Sequence, residues 1–214
     1  WTTNGSNISY SAGNVGIGTS TPSALLEVNG DAKFNGVTIG RGGGNIFNST
    51  AVGYSALSNN ETGEYNIAIG TSALILNKAS SRSIAIGAYA LYKSNYLPTP
   101  YNADNVAIGY SSMLGPSSIG GNITGIQNTA VGSESLERIS SGSSNVAVGY
   151  TAGVNTSVGF QNTAVGASSL TQNINGSYNT AIGYNTGPNT FDLANTTTLG
   201  IDASATATDQ VRIG

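Results

Sequence analysis

The sequence predicts an all-β fold, a parallel β-solenoid of about 17-residue coils, on three observations. A four-residue word recurs along the chain. The glycine that closes the word returns at a fixed interval. Within the word, apolar side chains follow the two-residue period of a strand.

The word is a small or β-branched residue, then Ala, then Val or Ile, then Gly. It appears as Thr50-Ala51-Val52-Gly53, Ile67-Ala68-Ile69-Gly70, Ile84-Ala85-Ile86-Gly87 and Val106-Ala107-Ile108-Gly109. It continues as Thr129-Ala130-Val131-Gly132, Val146-Ala147-Val148-Gly149, Thr163-Ala164-Val165-Gly166 and Thr180-Ala181-Ile182-Gly183, with a degenerate copy at Thr197-Thr198-Leu199-Gly200. The glycines are 17 residues apart from 53 to 87 and from 132 to 200; intervals of 22 and 23 residues flank Gly109.

In a strand, Ile67 and Ile69 share one face while Ala68 takes the other. The β-branched pair suits the interior of a coil. The strictly small reverse face then reads as a surface that another chain approaches closely. On that reading Ala51, Ala68, Ala85, Ala107, Ala130, Ala147, Ala164 and Ala181 are candidate packing residues of a parallel homotrimer; the alternative is that alanine fits between a strand and its own coil, with the same repeat in a monomer. The glycines at 53, 70, 87, 109, 132, 149, 166, 183 and 200 read as corners, where positive φ or a tight bend excludes a side chain.

A second element follows each corner, as in Tyr54-Ser55-Ala56-Leu57 and Thr71-Ser72-Ala73-Leu74, and then residues of turn character such as 58–63 and 172–176. Asn opens the next copy at Asn66, Asn105, Asn128, Asn145, Asn162 and Asn179. Each unit therefore reads as strand, corner, short strand and polar turn. One such unit holds too few apolar side chains to offset the entropy of ordering it, whereas stacked units cover one another.

Residues 1–44 depart from the interval and read as an N-terminal β connector or cap, with residues 45–214 as the repeat domain. Asn29-Gly30 and Asn35-Gly36 are hairpin-turn signals within that first part. Longer loops interrupt the repeat at 92–104 and 115–127. The first concentrates tyrosine and proline, so Tyr92, Tyr96, Pro98 and Tyr101 are candidate receptor contacts. The chain opens on Trp1 and closes at Gly214 within a copy of the repeat, which reads as a segment of a longer protein.

Composition removes most catalytic and binding classes. With no Cys and no His, the chain lacks thiolate chemistry, the Ser/His triad and the commonest metal ligand, so no catalytic, cofactor or metal residue is assigned. Seven Lys and Arg against ten Asp and Glu are too few positive charges for nucleic acid. No run reaches the roughly 18 apolar residues of a membrane span, so direct membrane insertion is not expected. Glu61 and Glu64 bracket a turn and Glu134 and Glu137 lie close in sequence, but neither pair has an accompanying cleft residue. They leave a carbohydrate-active β-solenoid enzyme, acting on surface polysaccharide, as the alternative to a structural protein.

The words Asn66-Ile67-Ala68-Ile69-Gly70, Asn105-Val106-Ala107-Ile108-Gly109 and Asn145-Val146-Ala147-Val148-Gly149 resemble the head repeats of YadA-like trimeric autotransporter adhesins. The Asn-Thr-Ala-Val/Ile-Gly form, with Val15-Gly16-Ile17-Gly18-Thr19-Ser20-Thr21-Pro22 and Leu26-Glu27-Val28-Asn29-Gly30, is similar to phage-type tail fibres and fibre-like bacterial surface proteins. The resemblance implies a left-handed parallel β-roll trimerised about a common axis. It also implies an extracellular, cell-surface or virion location, and a cell-surface glycan or protein receptor as partner. It carries architecture and a biological role rather than single functional residues.

Overall fold

The computed structural model describes residues 2–4, 7–9, 13–94, 101–118 and 121–214. Its main element is a sheet of 12 strands. Ten of these are parallel and one coil apart: Thr50–Gly53, Ile67–Ile69, Ile84–Ile86, Val106–Ile108, Thr129–Val131, Val146–Val148, Thr163–Val165, Thr180–Ile182, Thr197–Leu199 and Val211–Ile213. The chain is an all-β parallel solenoid. Pairing is in register throughout, with Ala68 on Ala85, Ala107 on Ala130 and Ala147 on Ala164. Nine steps of about 4.8 Å put the end strands roughly 43 Å apart.

The alternation within each strand holds, but the faces are the reverse of the expectation. All eight repeat alanines are at most 1 % exposed, and they belong to one core with Leu57, Leu74, Leu91, Met113, Leu136 and Leu170. Ile67 and Ile69 instead lie on the outside, 36 % and 38 % exposed. Ala51, Ala68, Ala85, Ala107, Ala130, Ala147, Ala164 and Ala181 therefore pack inside their own coils and are not interchain packing residues. The physical reason is the width of the coil. In most coils a long side chain from the turn, Leu57, Leu74, Leu91, Met113, Leu136 or Leu170, fills the interior, so the strand contributes only a methyl group.

The segment after most corners is also not a strand; the exceptions are Gly187–Pro188 and Ser204–Ala205, which pair in parallel in the last coils. Ser55 and Leu57, Ser72 and Leu74, and Glu134 and Leu136 have positive φ, between 46° and 58°. This tight turn aims its leucine inward and is held by hydrogen bonds from coil to coil: Leu57 N–H donates to Ala73 C=O at 2.9 Å, and Leu136 N–H to Ala152 C=O at 3.0 Å. Such bonds offset the left-handed strain of non-glycine residues. At the corners, Gly149, Gly166 and Gly183 have φ of 136°, 124° and 137°, and a Cβ on Gly166 would run into the backbone of Gly183.

Buried asparagines line the opposite end of six of the ten strands, at Asn66, Asn105, Asn128, Asn145, Asn162 and Asn179. Asn145 Nδ2 donates to Gly159 C=O at 2.9 Å and to Asn128 Oδ1 at 3.0 Å, while its Oδ1 accepts from both the backbone N–H and Nδ2 of Asn162, each at 3.0 Å. Asn162 repeats the pattern one coil further on. Each of these two amides thus satisfies a turn carbonyl of the next coil and the backbone N–H of the next coil's asparagine, just before its strand. Asn145→Ala leaves those buried groups unpaired, so a loss of about 3 kcal/mol is expected in urea unfolding, and an unchanged transition would contradict this role.

The antiparallel strands Ala32–Phe34 and Val37–Gly40 extend the sheet at its N-terminal edge, the second pairing antiparallel with Thr50–Gly53. Asn35 and Gly36, with φ of 48° and 83°, turn this hairpin. Asn29-Gly30 does not make one, because Leu26–Val28 pairs in parallel with Val15–Ile17. The backbone of Gly42 and Gly43 then lies against Leu57 and Ser58, with Gly43 N–H donating to Leu57 C=O at 2.9 Å. A Cβ on either glycine would prevent that approach over the first coil.

Candidate functional site

Because alanine takes the interior, the residues on either side of it form the outer face of the ladder. One column is aliphatic in every strand, running Val52, Ile69, Ile86, Ile108, Val131, Val148, Val165, Ile182, Leu199 and Ile213. The other holds only Thr, Ile or Val, from Thr50 through Val146 to Val211. Every one of these residues is exposed or half-buried in the single chain. Scattered surface aliphatics need no explanation, but an unbroken ladder of them, without a charged side chain, has the character of a contact surface.

Tyrosines border this face. Tyr54, Tyr110, Tyr150 and Tyr184 each follow a corner glycine and are more than half exposed. Tyr110 also meets Tyr89 edge to face at 6.1 Å, and Tyr89 lies 5.8 Å from Tyr92. Further along, Phe160 and Tyr178 make a second edge-to-face pair at 5.0 Å. These rings carry apolar area out to the rim while leaving a hydroxyl or an edge for water.

Of the four candidate receptor contacts, Tyr96 and Pro98 lie outside the described residues. Tyr92 is half-buried against Tyr89. Tyr101 is not a free ring: it sits in the short strand Tyr101–Asn102, paired with Ser80–Ser81, and its hydroxyl donates to Ile123 C=O at 3.2 Å. Burial pushes its phenol from the usual 10.0 up to about 12. Ile123 N–H donates in turn to Lys93 C=O at 2.9 Å, and Lys93 Nζ donates to Pro116 C=O at 2.6 Å. The described parts of the two long loops therefore brace one another, with Ile123 fully buried between them. Nothing in either loop's sequence shows that neighbouring coils bring the two together.

The acids are dispersed. Glu61 pairs with Lys78 at 3.0 Å and Asp104 with Arg82 at 2.7 Å. Among the described residues no three His, Cys, Asp or Glu side chains converge as a metal site, and no helix is long and apolar enough to cross a membrane. The aliphatic face is not legible as a surface in the sequence, because the two-residue period does not say which side of a strand is inside. Comparison with protein-family models, with curated proteins and with solved structures finds no match.

Proposed function

We propose that the chain is a structural, non-enzymatic segment of an extracellular or virion-associated homotrimeric fibre that supports recognition of a host or target cell surface. The observation that carries this reading is the aliphatic ladder face, which runs unbroken over ten strands and meets only water in a single chain. Three parallel copies around an axis along the solenoid bury that face on one another. Closed rotational symmetry leaves no copy of it open for sideways growth. The repeat words shared with trimeric adhesin heads and tail fibres favour three chains. The partner of such a rod is a cell-surface glycan or protein receptor.

Substituting Val148→Asp and Ile182→Asp together tests the reading. Both positions are already accessible in one chain, at 38 % and 42 %, so the coil itself tolerates the change. Copies around an axis would bring like charges together in an apolar contact. The expected result is a single-chain mass in sedimentation velocity with the β-sheet circular dichroism retained. Three-chain assembly that persists in this variant would remove the face from the interface.

A further inference from the structure

We propose that the N-terminal part of the chain builds its hydrophobic core between chains, so that residues 15–39 form an interchain collar at the N-terminal end of the solenoid. None of residues 13–44 and 46–48 is buried, whereas Ser49 at the start of the solenoid is. The segment nonetheless holds two pairs of strands. Val15–Ile17 and Leu26–Val28 pair in parallel with Ile17 opposite Val28, and Leu26 and Ile17 remain 57 % and 55 % exposed. A lone two-stranded parallel sheet has little stability in water, and one with no fully buried side chain has less.

The covering partner fits a second and third copy of this same segment, an inference that rests on the trimeric reading above. Two observations point there. Ile39 lies opposite Val52 in the register, so Phe34, Val37 and Ile39 continue the outer aliphatic face of the ladder onto the hairpin. Whatever covers the ladder covers them too. The second observation is charge. Directly paired residues share a face, so Val15, Ile17, Leu26 and Val28 lie together, while Glu27 falls opposite Gly16 on the reverse side, where Ser23 N–H and hydroxyl bind its carboxylate at 2.6 and 2.8 Å. Lys33, paired with Thr38, is likewise on the reverse side of the hairpin. Parallel copies in register set each residue against itself, so a charge on the shared face would be repelled by its own copies. A different protein as partner would impose no such exclusion.

The chain contains no cysteine, which makes single thiols unambiguous probes. In the full chain, Ile17→Cys probes the collar, Ile182→Cys the ladder face and Lys33→Cys the reverse side. Each variant is treated with a short bismaleimide at micromolar concentration and read on a denaturing gel. Covalent pairs near 43 kDa, twice 21.5 kDa, are expected for Ile17→Cys and Ile182→Cys but not for Lys33→Cys. Pairs at Ile182→Cys without pairs at Ile17→Cys overturn the collar and leave the trimeric reading standing. Failure at both positions overturns both, and equal pairing at all three positions overturns the collar because it reports collision rather than contact.

Discussion

Ala147→Arg is expected to unfold the chain itself, not merely to separate chains. Ala147 is fully buried, stacked between Ala130 and Ala164 and facing a core that includes Leu136 and Leu170. The coil has no room for a longer side chain there, and a guanidinium would enter a space without an acid to receive it. Overpacking and an unpaired buried charge act together, for a loss of at least about 4 kcal/mol. Circular dichroism and urea unfolding should show lost or strongly weakened β structure, and the loss should persist at high protein concentration. A folded but dissociated Ala147→Arg variant would return alanine to the interchain surface and contradict the account of the core.

Gly166→Val carries the second large effect. At φ 124° a β-branched residue is strained, and its Cβ would occupy the position of the Gly183 backbone one coil away. The neighbouring coil cannot step aside, because Gly183 N–H is bonded to Val165 C=O at 2.8 Å. Backbone strain of about 1–3 kcal/mol is joined by steric displacement, so a loss of roughly 4 kcal/mol is expected. The measurement is the urea midpoint of the full chain, with Ala167→Val at the next, half-buried position as a comparison. Equal midpoints for the two variants would contradict the close approach of stacked corners.

Much of this architecture was legible in the residues. The interval between Gly132, Gly149, Gly166 and Gly183 set both coil length and parallel register, and the alternation of Val146, Ala147 and Val148 set which residues share a face. Periodicity does not say which face is inside. Side chains such as Leu136 and Asn145 also occupy the coil interior and leave only a methyl group's width beside the strand. A strictly small column beside a leucine column is the signature of a narrow interior. The left-handed turn at Ser55 and Leu57 gave no local signal, since neither residue is the Gly or Asn that usually marks such geometry. Tyr101 looked available because its partner, Ile123, belongs to another coil.

The aliphatic face is the claim on which the functional reading turns, because no cluster of titratable groups on the described surface competes with it as a site. Sedimentation equilibrium of the unmodified chain at micromolar concentration tests that claim most directly. The account predicts a single species of about 65 kDa, three times 21.5 kDa, whose mass does not fall on moderate dilution. A stable species of 21.5 kDa, with the ladder face open to water, would contradict it.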